Sequence, residues 1–242
     1  MTPECTDTSV RGHPVGYTYA MDSILLIDKP AGITSAKVVA LVKKRLKVKV
    51  GHTGTLDPLA TGLLILLTDK RTKQAGTFLH MDKSYQVRAI LGRTTTTYDV
   101  AGEVVKTCDR MVTREQIEEA LEGFVGELLQ IPPAYSAKKI AGKKAYQLAR
   151  QGLEVEIPAS KVTAYSLRLI SFDYPVFTLE CEVSSGFYVR SLVHDLGERL
   201  GVGATVEEVR RMRVGDYRIE DAVSLESLLD CSATAAPAPR QM

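Results

Sequence analysis

The sequence predicts an α+β protein with a mixed sheet, and three observations lead there. Short apolar or alternating runs mark several strands, Leu63 to Leu67 and Tyr85 to Leu91 among them. Apolar residues at helical spacing mark helices, most clearly Val189, Leu192, Val193, Leu196 and Leu200. The two kinds of element interleave, yet Val162 to Ile170 and Val176 to Val183 follow one another directly as a strand pair. That succession argues against a purely parallel, doubly wound sheet.

Residues 1–22 are rich in Thr, Gly and Pro and lack periodicity. They read as a flexible extension, with Met21 available as an alternative start. Ser23 to Ile27 reads as a buried strand ended by Lys29-Pro30 and Gly32. Ser35 is placed to cap a helix with Val38, Val39, Val42 and Leu46 on one stripe. A glycine-rich turn follows, then the strand around Leu63. Thr113 and Gln116 make a capping box, and Gly126 is expected to stop that helix. Thr205 and Glu208 have the same spacing and predict one more short helix. Cys231 to Met242 is Ala- and Pro-rich and reads as a disordered tail, which leaves 23–230 as the ordered part.

The chain has 242 residues, room for one large domain or two small ones, and should bury roughly 70–75% of its unfolded surface. Hydrophobic residues at 45% and charged residues at 25% exclude a wholly disordered, collagen-like or coiled-coil protein. Cys5, Cys108, Cys181 and Cys231 form no C-x-x-C pair, and no His-x-x-x-His occurs. Neither a disulfide framework nor a metal site is expected. No apolar run approaches the ~20 residues that span a bilayer, and the start of the chain has no apolar signal region. The cytoplasm is the expected compartment. With no exposed heptad or long apolar patch, the expected state is a monomer without a protein partner.

The densest local signal is Gly51-His52-Thr53-Gly54-Thr55-Leu56-Asp57-Pro58-Leu59-Ala60-Thr61-Gly62. Turn chemistry alone explains much of it. It is no phosphate loop, because no G-K-[ST] follows. It approaches the H-x-G-H of nucleotidyl transferases, but Thr55 stands where the second His belongs. What remains is a tight loop presenting His52 and Asp57, and an Asp can act as nucleophile or general base. The net charge is only +2, yet cations cluster at Lys37 to Lys49, Lys138 to Arg150 and Arg210 to Arg218. Each cluster can be an ordinary solvated face; three together fit a polyanion binder. Tyr135, Tyr146, Phe187 and Tyr188 lie near them, able to stack on bases or to pack in the core. Arg190 falls in the first turn of a helix, where the dipole disfavours a cation, so a carboxylate partner is expected.

Five segments in order resemble the bacterial tRNA pseudouridine synthase B family. They are the Gly51 to Gly62 loop; Asp28-Lys29-Pro30 with Gly32-Ile33-Thr34-Ser35; Lys83-Ser84-Tyr85 with Leu91-Gly92, Thr95, Thr97, Asp99 and Gly102; Gln130-Ile131-Pro132-Pro133 with Tyr135-Ser136-Ala137, Lys139, Gly142, Tyr146 and Arg150; and Ser185 to Arg190 with Asp195-Leu196-Gly197. The resemblance covers about 23–218. It implies the pseudouridine synthase fold, a mixed, largely antiparallel central sheet flanked by helices. It implies conversion of uridine 55 in the T loop of tRNA to pseudouridine by base flipping, without cofactor or metal. In that picture Asp57 attacks the nucleotide, Tyr85 stacks on the flipped uracil and Arg190 pairs with Asp57. His52, Tyr188, Val209, Asp99 and Lys29 line or support the nucleotide pocket, and the partner is the tRNA T arm. The sequence departs from the pattern at Phe187, Thr96 and Val209. It also leaves about two dozen residues after Arg218, too few for a separate C-terminal RNA-binding domain. Two other readings stay open: an RNA chaperone that refolds tRNA, and the nucleotidyl transferase, which would need ATP and a metal.

Overall fold

A computed structural model describes residues 22–136, 138–140, 143–145 and 157–230. The expected extension up to residue 21, the tail, and Gly142, Tyr146 and Arg150 lie outside the described residues.

The chain opens with β1 (Ile24–Lys29), α1 (Ser35–Leu46), β2 (Val50–His52), β3 (Thr61–Thr68) and the short α2 (Ala75–Leu79). Next come β4 (Lys83–Leu91), the small pair β5 (Arg93–Thr95) and β6 (Val104–Thr107), α3 (Arg114–Glu122) and β7 (Gly126–Gln130). A two-residue pair, β8 (Lys139–Ile140) and β9 (Lys143–Lys144), precedes β10 (Ser160–Asp173) and β11 (Val176–Val183). The described residues close with α4 (Val189–Leu200), β12 (Ala204–Val214), β13 (Tyr217–Arg218), β14 (Val223–Ser224) and α5 (Leu225–Leu229). The main sheet runs β14-β1-β3-β12-β4-β11-β10-β7, with β2 beside β3 and β13 beside β12. The β1–β14 and β3–β12 pairings are parallel and the others antiparallel. This is the mixed, largely antiparallel sheet that the sequence predicts.

Register explains where the site forms. Residues facing each other across strands share a side of the sheet. One such row runs Lys29, Gly62, Arg211, Tyr85, Cys181, Leu167 across six strands. On this side two apolar clusters sit next to each other. Leu25, Ile27, Leu64 and Leu66 pack against Val38 and Val42 of α1. Val87, Ala89, Phe177 and Leu179 pack against Leu192 and Leu196 of α4 and Ile117 of α3. Each fully buried Val or Leu contributes roughly 1.5–3 kcal/mol, so both halves are firm. Tyr85 and Val209 touch both clusters, which places them at the seam. Leu63, Ile65 and Leu67 point to the opposite side, into a third cluster with Phe78 and Val214. The apolar run of β3 is therefore buried on both sides.

Three local expectations change. Thr205 and Glu208 do not open a helix: they lie in β12, the strand between β3 and β4. The Thr205 hydroxyl donates to the Arg93 carbonyl at 2.9 Å rather than capping, and nine register pairs with β4 outweigh a local capping pattern. The cap of α1 is Thr34, whose hydroxyl accepts from Lys37 N at 3.1 Å. Ser35 instead exchanges two hydrogen bonds with Leu56, donating to its carbonyl at 3.0 Å and accepting from its N–H at 2.9 Å. Gly123 ends α3, while Gly126, at φ +101°, opens β7. The capping box of Thr113 and Gln116 forms as expected.

Candidate active site

The loop 53–60 joins β2 to β3 at the seam. It is held by its backbone from four sides. Gly32 N donates to Pro58 O at 2.8 Å, and Ser35 grips both polar groups of Leu56. Lys29 Nζ donates to Pro58 O at 3.3 Å, and Arg211 Nη2 to Gly54 O at 3.2 Å. Leu56 and Ala60 are buried in the α1 cluster. Gly62 closes the loop where a side chain is impossible: its φ is +98°, and an added Cβ would lie 2.4 Å from the Arg211 carbonyl oxygen.

These anchors leave the Asp57 side chain projecting, 46% exposed, across the seam to α4. Its Oδ2 lies 2.8 Å from Arg190 Nη2. Arg190 is buried and engages both of its terminal nitrogens. Nη2 also donates to the Tyr135 carbonyl at 2.8 Å; Nη1 donates to the Thr97 carbonyl at 3.0 Å and lies 3.4 Å from Asp99 Oδ2. Each terminal nitrogen thus serves one carbonyl and one carboxylate, a geometry that Lys cannot reproduce. The two acids offset the unfavourable position of a cation at a helix N-terminus. The start of α4 is itself braced: buried Gln130 donates to Tyr188 O at 2.9 Å and accepts from Tyr188 N at 2.7 Å, and Ser191 Oγ donates to Ile131 O at 2.7 Å.

Electrostatics follow from this crowding. Loss of water pushes the Asp57 carboxyl above its ordinary 3.8; Arg190 pulls it down and Asp99 pushes it up. Lys29, fully buried, donates to the carbonyls of Pro30 and Ile33 at 2.8 and 2.7 Å. Burial lowers its pKa to about 8, against the pull of Asp57. Burial, and then the Asp57 charge, raise the Tyr188 phenol.

The residues singled out in the sequence are distributed as follows. Asp57, Arg190 and Asp99 form one ion cluster. Lys29 and Tyr188 stand close enough to feel the Asp57 charge. Tyr85 and Val209 form the seam beside it. His52 ends β2, immediately before the loop, where it pairs with Leu66. Phe187 is a core residue of the α4 cluster, not a stacking platform. Tyr135 contributes its carbonyl to Arg190.

Three of the four arginines of the third basic cluster are engaged within the fold, and Arg218 is exposed. Arg210 makes a forked pair with Asp28 at 3.1 and 2.6 Å, Arg211 is buried, and Arg213 donates to Gly215 O and Glu182. The α1 cluster does present exposed cations at Lys37, Lys43, Lys44, Lys47 and Lys49. Sequence reasoning also missed Arg211 as the clamp on Gly54 and Gln130 as the brace of Tyr188. Buried polar residues inside strands carry no local signal beyond their rarity. Among the described residues, no three His, Cys, Asp or Glu side chains converge as metal ligands.

Known proteins match this chain over most of its described length. The TruB family pseudouridylate synthase N-terminal domain matches residues 41–189, and the tRNA pseudouridylate synthase B C-terminal domain matches residues 190–240. The described part of the second match supplies α4 and β12 to the body of the fold. A tRNA pseudouridine synthase B of Aquifex aeolicus is 49% identical over 86% of this chain and 74% of its own length. One of Chlamydia abortus is 44% identical over 88% of this chain and 91% of its own. Among solved structures, a chain of a Cbf5-Nop10-Gar1 complex is 26% identical with a TM-score of 0.68, over 89% of this chain. A chain of an H/ACA RNP bound to a substrate RNA containing 2′-deoxyuridine is 27% identical with a TM-score of 0.65, over 85% of this chain. The present chain spans 60% and 52% of those two, respectively. With the Asp57–Arg190 pair at the seam of this sheet and these matches over most of its length, the chain belongs to the TruB family of pseudouridylate synthases.

Proposed function

We propose that this enzyme converts a uridine of tRNA, uridine 55 of the T loop, to pseudouridine. The observation that carries the reading is the projecting Asp57 carboxylate held 2.8 Å from a buried Arg190. The reaction exchanges an N-glycosidic for a C-glycosidic bond. No atom is gained or lost, so neither a redox cofactor nor ATP is required. One nucleophile that bonds and releases is sufficient, and an ionised carboxylate suits it. Arg190 favours the ionised form against the loss of water around Asp57. The carboxylate then acts at ribose C1′, at uracil C6, or as a base at the ribose to give a glycal.

The uridine must leave its stack, at a cost of a few kcal/mol. Tyr85, partly exposed at the seam, would return roughly 1–3 kcal/mol by stacking on the uracil. Tyr188, Val209, Lys29 and Asp99 shape or support this pocket, and His52 fills the space that the base vacates. The exposed lysines of α1 take the T-arm phosphates. The α1 start is bonded to Leu56, one residue from Asp57, so the cations lead away from the site along one helix.

The test uses an unmodified tRNA transcript tritiated at uracil C5, in EDTA and without ATP. C5 loses its hydrogen only when it bonds to ribose. One equivalent released per target uridine, and none from Asp57→Asn, is the expected result. Tight binding without release would favour the chaperone reading; dependence on ATP and metal would favour the transferase.

A further inference from the structure

Tyr98 stands between the two groups that loop 96–102 offers to Arg190, the Thr97 carbonyl and the Asp99 carboxylate. Its φ is +62°, in the left-handed region that a bulky side chain avoids unless its surroundings hold it there. The ring stacks on His194 with centroids 3.8 Å apart and planes 7° from parallel. His194 follows Arg190 by one turn of α4, so both lie on one face of the helix. His194 Nδ1 is buried and has no hydrogen-bond partner among the described residues, so the stack, not a bond at that nitrogen, orients the imidazole. The backbone is fixed as well: Val206 N donates to Tyr98 O at 3.0 Å, and Tyr98 N to Thr95 O at 3.2 Å. Three consecutive residues therefore straddle α4. The outer two hold Arg190 and the middle one holds His194.

Neither Tyr98 nor His194 has a part in the chemistry above. We propose that the Tyr98–His194 stack is a positioning clamp, which holds Tyr98 in its left-handed conformation and so fixes Thr97, Asp99 and the Arg190 guanidinium against Asp57. Both are positioning residues: they act through Thr97, Asp99 and Arg190 and touch no reacting atom. The proposal rests on the reading of Asp57 and Arg190 as the reacting pair.

The experiment measures kcat and KM for tritium release by Tyr98→Phe, Tyr98→Gly, His194→Ala and the Gly/Ala double variant. Phe keeps the ring, and its kcat should stay within about twofold of wild type. Gly adopts the same φ without strain but removes the stack. Its kcat should fall roughly tenfold or more at nearly unchanged KM, because the guanidinium loses its aim rather than the RNA its grip. His194→Ala should do the same, and the double variant should be no worse than either single one, since both remove the same stack. His194→Ala leaves the loop backbone untouched and carries the test alone if Tyr98→Gly melts early. Wild-type kcat in both single variants, with Asp57→Asn inactive, would overturn the clamp. So would a loss confined to melting temperature or KM. Turnover that survives Asp57→Asn would overturn the reading of the reacting pair, and the clamp with it.

Discussion

Loop 53–60 and loop 96–102 both end on the Arg190 guanidinium, yet they are anchored in opposite ways. Loop 53–60 is held by backbone groups, through Gly32, Ser35, Lys29 and Arg211. Its acid, Asp57, makes no bond that the loop needs. In loop 96–102 the acid is the anchor. Asp99 Oδ1 accepts from Thr97 Oγ1 at 2.6 Å and from Ala101 N at 3.0 Å, which leaves Oδ2 to face Arg190. The exposures follow: 46% for the Asp57 side chain and 13% for Asp99. On the mechanism proposed above, the acid that forms and breaks a bond is the one that does not also hold up its loop.

Exchanging the acids one at a time is the strongest way to break this contrast. Asp57→Asn should cut the single-turnover rate by about a thousandfold or more. Its melting temperature at neutral pH should be unchanged or higher. The folded-state pKa of Asp57 is raised, so its ionised form opposes folding above the ordinary 3.8, and a neutral side chain removes that opposition. Asp99→Ala should behave differently. It takes the carboxylate acceptor from the exposed Ala101 N–H and from the Thr97 hydroxyl, which keeps only the backbone carbonyl of residue 99 at 3.3 Å, at a cost of roughly 0.5–1.5 kcal/mol in denaturant unfolding. It should slow turnover as well, by less than Asp57→Asn.

The backbone anchors provide a smaller and sharper test. Ser35 is buried and bonds Leu56 twice. Ser35→Ala should cost roughly 1–3 kcal/mol by chemical denaturation, since both Leu56 groups lose a partner away from water. It should also lower kcat by about tenfold, because Asp57 is the next residue along the loop. A stability loss without a rate loss would mean that the loop holds Asp57 in place without help from α1.

How much of this was visible in the sequence depends on how local each feature is. Gly51 to Gly62 stood out because its glycines, proline and acid are contiguous. The stripe of α4 and the alternation of β4 were equally plain, because periodicity is a short-range property. The Asp57–Arg190–Asp99 cluster joins three distant segments, and only the ordered family motifs brought those residues together. β12 misled because Thr205 and Glu208 copy a helix cap, whereas its real determinant is burial between β3 and β4. The run Arg210, Arg211, Arg213 resembles the run on α1, yet Arg211 is buried against Leu63 and Gly54 while Arg210 and Arg213 are paired with Asp28 and Glu182. Composition records how many charges a segment carries; only the register of β12 against β3 and β4 decides where they point. The α1 lysines therefore carry the prediction for salt. Replacing Lys43 and Lys44 by Gln should reduce the slope of log affinity against log salt by roughly two, one for each phosphate no longer neutralised, at unchanged kcat.

The smallest effect bears on the two acids together. If ionised Asp57 is the reacting form, the rate should fall as pH drops through its raised pKa, so the acid limb of single-turnover rate against pH should lie above 3.8. Asp99 is one cause of that upward shift, since its negative charge disfavours a second one across Arg190. Asp99→Asn keeps an oxygen for Thr97 and Ala101 but removes the charge. The acid limb should then move to lower pH, even though the plateau rate drops. A limb that moves to higher pH would show that Asp99 acts mainly by aiming Arg190 at Asp57, so that losing its grip weakens the guanidinium's hold on the carboxylate by more than the removed repulsion strengthens it.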